Sequence, residues 1–356
     1  MTVIEAYCAA LGDPQHAAPV IHVTGTNGKG STAQMISRLL VASGLTVGTY
    51  TSPHLESVNE RISRNLEPIS DEEFAEQISA VADLEDVVGL RPTYFEIMTA
   101  AAFRWFADVA VDVMVIEVGL LGRWDATNVV DATVAVITNI GMDHTEFAGP
   151  SLEHIAREKA GIITPQSAVI VGETQPELVT IFEEAGGATV LVRGDDFDAT
   201  SNALAVGGRL LDLRTPTTIY PDVYVPLHGA HQGRNAAVAL TAVETFFAAP
   251  LPDDVVTEGF AEVSMPGRFE VLGRQPLAIV DGAHNPTGAD MCTQVFLDDF
   301  NPDGRRLLVV GTLRDPVEML EALRADEFDV VFACTAPSPR GAVSYTHLTL
   351  PTTIGW

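Results

Sequence analysis

Residues 20–32 read VIHVTGTNGKGST: a short apolar strand, a glycine-rich turn, a lysine and two hydroxyl residues. Gly25, Gly28 and Gly30 let backbone N–H groups close on an anion, and a helix expected over about 31–43 adds its positive N-terminal end. Thr26 and Asn27 lie inside the turn. Lys29 has the reach for β- and γ-phosphates, and Ser31 or Thr32 for a magnesium ion bridging them. The usual spacing G-x-x-x-x-G-K-[ST] is not literally met, because Val23 stands six before Lys29 and Gly30 separates the lysine from the hydroxyls. The strand before and the helix after still favour a phosphate cradle over a tight turn with a solvated lysine.

Cations are scarce in this chain, so their positions carry information. The 356 residues have a net charge of −28, which excludes an extended nucleic-acid track or an anionic membrane surface as partner. Of 20 basic residues only Lys29 and Lys159 are lysines. Arginine stands nearly everywhere else, so these two positions point to places where a compact ammonium or a deprotonatable amine is needed. Lys159 ends an expected helix over 151–162, where the helix dipole alone would also accommodate it. Cys8, Cys292 and Cys334 are scattered and read as ordinary thiols. No apolar run has the length of a membrane span and no signal segment opens the chain, which makes a cytoplasmic protein the expectation.

The elements that must position these residues alternate strand and helix, and the length allows two domains. A lid helix is expected over 2–11. A strand at 45–50 runs into TSPHLESVNERI, residues 51–62, a polar loop with Pro53, His54, Glu60 and Arg61 at a strand's carboxyl end, where open α/β sheets bind ligands. A helix over 70–81 is capped by Ser70 and Glu73. The next, over 93–106, is apolar on most faces, so its Glu96 is paired, near a ligand or on a solvated edge. The near-continuous apolar run 111–118 reads as a central parallel strand with Glu117 close to its end, placed to hold magnesium. The loop GLLGRWDATNV follows with Arg123, Asp125 and Asn128, and a strand over 132–139 leads to Asp143 and His144 at the same sheet edge.

Further strands are expected at 168–171 and 189–192, with a hairpin over 202–213 turning at Gly207 and Gly208. The stretch 228–247 enters a long apolar helix through His231, Gln232 and Asn235, whose amides suit an adenine edge. SMPGRF, residues 264–269, is a proline-glycine joint that carries Arg268. Beyond it, a strand at 277–280 runs into DGAHNP with Asp281 and His284, and strands at 306–310 and 330–334 continue a small α/β unit.

Together these motifs resemble the dihydrofolate synthase and folylpolyglutamate synthase family, within the Mur-type ATP-dependent amide ligases. TGTNGKGST, TSPHL with ERI, FE-x-x-TA, EVGL-x-GR-x-DATNV, TNIGMDH, EKAGI, HQ-x-x-NA, MPGR and DGAHNP occur in family order over roughly residues 20–340. The resemblance implies an α/β fold: a P-loop-type, mostly parallel sheet with flanking helices, plus a smaller, truncated C-terminal Rossmann-like domain. It implies ATP and magnesium, the latter at two sites, as cofactors. Dihydropteroate or reduced folate and L-glutamate would be the substrates, joined through an acyl phosphate by a monomer. Lys29 and Ser31 would bind phosphate and magnesium, Glu117 and His144 the metal, and Gln232 and Asn235 adenine. Arg268 would reach the γ-phosphate; Asp281 and His284 would face nucleotide and glutamate. Ser52, Pro53, His54 and Arg61 would lie along the pterin, with Glu96, Arg123 and Asp125 also assigned to substrate. Lys159 resembles the lysine such ligases often carbamylate. Leu121 stands where the family usually has a second glycine. The competing readings are a nucleotide-binding module without ligase activity and a Mur-type ligase acting on a cell-wall nucleotide; TSPHL and ERI favour folate.

The expected domains are 1–265 for ATP binding and 266–342 for an incomplete glutamate-ligase domain. The tail 343–356 contains VSYTHLTLPT, which reads as the translation of a transposon-end sequencing adapter, so a non-native tail on a shortened chain is the expectation.

Overall fold

The computed structural model describes residues 2–143, 145–300, 304–313 and 316–335. The expected tail and His144 lie outside these residues. The chain divides into two compact units: Met1–Pro226 with His231–Ser264, and Leu227–Ala230 with everything from Met265 onward.

The first unit is built on one eight-stranded sheet in the order β4-β3-β2-β5-β1-β6-β7-β8. Its strands are β1 (Val20–Thr24), β2 (Val47–Tyr50), β3 (Ile62–Arg64), β4 (Glu67–Pro68), β5 (Val113–Glu117), β6 (Ala132–Ile137), β7 (Ala168–Val171) and β8 (Thr189–Val192). The six from β2 to β8 in that order pair in parallel, whereas β3 and β4 are an antiparallel edge. The sheet edge was not legible in the sequence, where residues 51–62 read as loop alone. β1 lies between β5 and β6, so the chain leaves it to one side and later returns on the other; this reversal opens a crevice beyond the carboxyl ends of the strands.

Helices cover both faces of the sheet. They are α1 (Val3–Ala10), α2 (Lys29–Ala42), α3 (Asp71–Ala82), α4 (Glu85–Val88), α5 (Tyr94–Asp108), α6 (Thr145–Ala148), α7 (Leu152–Lys159), α8 (Pro176–Glu184), α9 (His231–Phe247) and α10 (Asp253–Ala261). Three start in full capping boxes, Thr2 with Glu5, Ser70 with Glu73 and Thr93 with Glu96. The helix expected as a lid, α1, instead buries Ile4, Tyr7 and Cys8 in the core shared with α5. α2 packs against both α9 and α10. A three-stranded antiparallel sheet, β9 (Asp198–Ala205), β10 (Gly208–Arg214) and β11 (Ile219–Val225), adds one strand to the expected hairpin.

The second unit contains an antiparallel pair, β12 (Glu270–Arg274) and β13 (Leu277–Val280), and a parallel pair, β14 (Leu307–Val310) and β15 (Val330–Ala333). Its helices are α11 (Pro286–Val295) and α12 (Pro316–Ala322), with Ala289, Met319 and Leu323 at the centre of a small core.

Glu244 ties α9 to β11. Its buried carboxylate accepts the Tyr220 hydroxyl and, at 2.8 Å, the Thr217 hydroxyl. Glu244→Ala leaves those donors short of an acceptor and is expected to lower stability by about 1–3 kcal/mol. A lower urea midpoint than the parent chain checks this.

Candidate active site

The 20–32 segment folds as a cradle, with one change from the expectation. α2 begins at Lys29, two residues early, with Gly28 as its N-cap in the left-handed region at φ 81°. A Cβ on Gly28 would lie 2.8 Å from Asn235 Oδ1, so the loop packs directly against the first turns of α9. Gly25 is more confined. Its φ is +152°, and a Cβ there would sit 1.8 Å from Thr138 Oγ1.

The loop is held from the end of β6. Thr138 Oγ1 donates to Asn27 O at 2.7 Å, Thr26 N donates to Asn139 O at 3.0 Å, and Asn27 N donates to Asn139 Oδ1 at 2.9 Å. Thr138 and Asn139 were not singled out from the sequence. Their role depends on β6 lying beside β1, which chain order does not reveal.

Two amines meet on one oxygen. Lys29 Nζ donates to Gly25 O at 3.0 Å, and Lys159 Nζ donates to the same carbonyl at 2.7 Å from the end of α7. Lys159 is only 4 % exposed. Burial, then the charge of Lys29, hold its pKa well below the ordinary lysine value, while Asp143 and Asp125 pull the other way. Asp143 is itself buried.

Glu117 ends β5 opposite Val23, one strand over from the cradle, and is 3 % exposed. Its Oε2 accepts Ser52 N at 3.0 Å, which joins the proposed metal carboxylate to the 51–62 loop. That loop is braced by Glu60, whose carboxylate accepts the backbone N–H groups of Leu55, Glu56 and Ser57. Ser52–Pro53 is a cis peptide. Arg61 Nε donates to His54 Nδ1 at 2.9 Å, and its guanidinium lies 5.7 Å over the Tyr94 ring. Glu96 spends its carboxylate on its own helix start, accepting Thr93 N and Oγ1 at 2.8 Å; the T-x-x-E spacing was a readable signal for this.

The 119–128 turn takes the path that a second glycine would allow. Leu121 adopts φ 58°. Gly122 fits because a Cβ there would meet Glu158 O at 2.8 Å, and Arg123 pairs with Glu158 at 3.6 Å. Asp125 accepts Leu120 N at 2.7 Å and the Thr127 hydroxyl at 2.6 Å; burial raises its pKa against those hydrogen bonds. On α9, Asn235 Nδ2 donates to Gln232 Oε1 at 3.0 Å, and both are buried.

The structure therefore gathers Gly25, Thr26, Asn27, Gly28, Lys29, Lys159, Asn235 and Gln232 around one loop, with Glu117 and the 51–62 loop at the adjoining strand ends. Arg268, Asp281 and His284 belong to the second unit. There Arg268 Nη1 donates to Gly282 O at 3.4 Å, a His284 ring nitrogen lies 3.2 Å from the same oxygen, and Asp281 accepts Phe269 N and Ala283 N. Burial pushes the Asp281 carboxyl up.

The profile of the Mur ligase middle domain matches residues 23–243, and that of the Mur ligase glutamate ligase domain matches 267–348. The dihydrofolate synthase/folylpolyglutamate synthase of Mycobacterium tuberculosis is 40 % identical, over 96 % of this chain and 75 % of its own length. This chain belongs to the dihydrofolate synthase/folylpolyglutamate synthase family of Mur ligases. The fold agrees. It superposes on the Mycobacterium tuberculosis folylpolyglutamate synthase complexed with ADP with a TM-score of 0.90 at 39 % identity, covering 95 % of this chain and 79 % of that one. A folylpolyglutamate synthase–AMPPCP–folate complex gives 0.84 at 33 % identity, covering 90 % and 81 %. Among the described residues no helix is long and apolar enough to cross a membrane.

Two measurements test this geometry. Gly25→Ala is expected to lose ADP binding by calorimetry, because Thr138 and a Cβ cannot share the space. Lys159 supplies a pH test. Its folded pKa is depressed, so between that value and the ordinary 10.5 the unfolded chain binds a proton that the folded chain does not, and stability rises with pH. In Lys159→Met that contribution to the slope disappears, as read from urea midpoints at pH 7 to 9.

Proposed function

We propose that this chain ligates L-glutamate to dihydropteroate, to reduced folate polyglutamates, or to both, at the expense of ATP. The observation that carries the reading is the glycine cradle with two lysine amines on the Gly25 carbonyl, set among the ordered motifs of the family. The γ-phosphoryl group of ATP passes to the substrate carboxylate: a carboxyl O–P bond forms, the bond to the ADP oxygen breaks, and ADP leaves. The glutamate amine then attacks the acyl carbon, loses a proton and expels phosphate. No protein nucleophile is needed, so positioning and charge neutralisation dominate.

The chain's residues divide that work. Backbone N–H groups of Gly25–Ser31 and the start of α2 receive the phosphates, and Lys29 turns from Gly25 O to the transferred group. Gln232 and Asn235 take the adenine edge. Ser52, Pro53, His54 and Arg61, with Arg123 and Asp125, line the substrate. The fit to magnesium rests on donor chemistry. The Ser31 hydroxyl and Glu117 carboxylate are hard oxygen donors, and the neighbouring Thr32 Oγ1 is buried with no partner among the described residues. Among the described residues no three His, Cys, Asp or Glu side chains gather to hold a metal; Ser31 and Glu117 would hold the ion, together with His144, which lies outside the described residues. Bound there, magnesium neutralises the charge of the β- and γ-phosphates.

We also assign Lys159 a carbamate in the working enzyme, since burial lowers its pKa and so favours the uncharged amine, the form that takes up CO2. We read the working form as a monomer, because cradle, Lys159, Glu117 and substrate loop all come from one unit of one chain.

ADP release is expected only when ATP, magnesium, glutamate and a pteroate or folate are all present, in step with glutamate incorporation. Turnover without a folate, or with a cell-wall nucleotide in its place, overturns the assignment. Lys29→Ala and Lys29→Arg should both be inactive, the latter because a guanidinium does not fit the turn. Labelled bicarbonate should give a carbamate signal lost in Lys159→Arg; a plain amine in the active enzyme refutes the carbamate alone.

A further inference from the structure

Two polar side chains of β1 have no part in the ligation just described, on which this inference rests. His22 and Thr24 are fully buried, two residues apart and so on one face of the central strand. His22 Nε2 lies 2.9 Å from Thr127 Oγ1, and Thr24 Oγ1 donates to Leu121 O at 2.5 Å. These partners bracket the turn that carries Arg123 and Asp125.

Hydrogen-bond directions follow from the partners. The Asp125 carboxylate only accepts, so the single Thr127 hydroxyl proton goes to Asp125 Oδ1, 2.6 Å away. Thr127 Oγ1 must then accept from His22, which fixes the imidazole as its Nε2–H tautomer. Burial lowers the His22 pKa to about 3, so the ring is uncharged. Its Nδ1 is buried with no partner among the described residues. Phenylalanine would fill this space without a bare nitrogen in the core, so packing alone does not account for a histidine here.

We propose that His22 and Thr24 are positioning residues for the ligation, holding the 119–128 turn at both ends so that Asp125 stands at a fixed place beside the phosphate loop. Asp125 is one of two carboxylates whose charge acts on Lys159, the other being Asp143; Lys29 opposes them. A turn released from β1 would let the Asp125 charge move away from the Lys159 amine.

The test uses the full chain. His22→Phe is expected to lower kcat for glutamate ligation about tenfold or more, with KM for ATP and Kd for ADP held within about twofold. His22→Gln, which keeps an amide donor in reach of Thr127, should recover most of the loss. Adding His22→Phe to Thr127→Val should cost nothing further, since both act through one bond. With two lysines in the chain, 13Cε-lysine labelling gives two side-chain signals, and in CO2-free buffer, where Lys159 is a plain amine, its titration should move to lower pH in His22→Phe and in Thr127→Val. Parental kcat in His22→Phe overturns the inference. So does a loss that His22→Gln fails to relieve and that tracks ADP affinity and thermal midpoint, which marks packing alone. If the parent chain does not ligate, the functional reading fails, while an unmoved Lys159 titration still overturns the positioning role by itself.

Discussion

The carbonyl oxygen of Gly25 accepts from two lysine amines, and most of the first unit is arranged around that oxygen. One amine comes from the first residue of α2 and the other from the last residue of α7. Bringing both to one oxygen requires β1 to end where it does, β6 to lie beside it, and Thr138 to occupy the space a side chain at position 25 would need. Burial is the larger cause that lowers the Lys159 pKa, and the nearby charge of Lys29 adds to it. Lys159 is the buried member of the pair, whereas Lys29 is partly exposed at the loop.

The carboxylates around this pair have separable tasks. Glu117 sits at a strand end and accepts the amide of Ser52, which ties that strand end to the 51–62 loop. Glu60 binds three successive amides and stiffens that loop from within. Asp125 and Asp143 act through charge on Lys159. In a chain of net charge −28, local geometry must collect cations where an anionic nucleotide binds, and the two lysines are spent at that place.

Much of this was legible in the sequence because the local rules agree there. Apolar runs marked β5 to β8, Ser70 with Glu73 marked α3, and Gly25, Gly28 and Lys29 marked the cradle. What escaped depends on spatial neighbours. Thr138 and Asn139 matter only because β6 pairs with β1; Asp143 was placed at the sheet edge, but its nearness to Lys159 depends on how α7 packs. The short edge strands β3 and β4 have too few residues to show a period. The early start of α2 at Lys29 and Gly30 runs against glycine's low helix propensity and is settled by the loop's contacts. Of the alternatives open for Glu96, the paired one is met by its capping box with Thr93.

Leu121 shows how one departure from a family pattern can be absorbed. A left-handed conformation disfavours any residue with a Cβ, by about 1–2 kcal/mol. The turn keeps that conformation nonetheless, because its carbonyl is tied to Thr24, the next residue is a glycine pressed against Glu158 O, and Asp125 takes the amide of Leu120. Three tethers within residues 120–125 over-determine the backbone, so the side chain at 121 has little say in its path. The same over-determination places Asp125 relative to Lys159, and a glycine at 121 would relax the strain without releasing the turn.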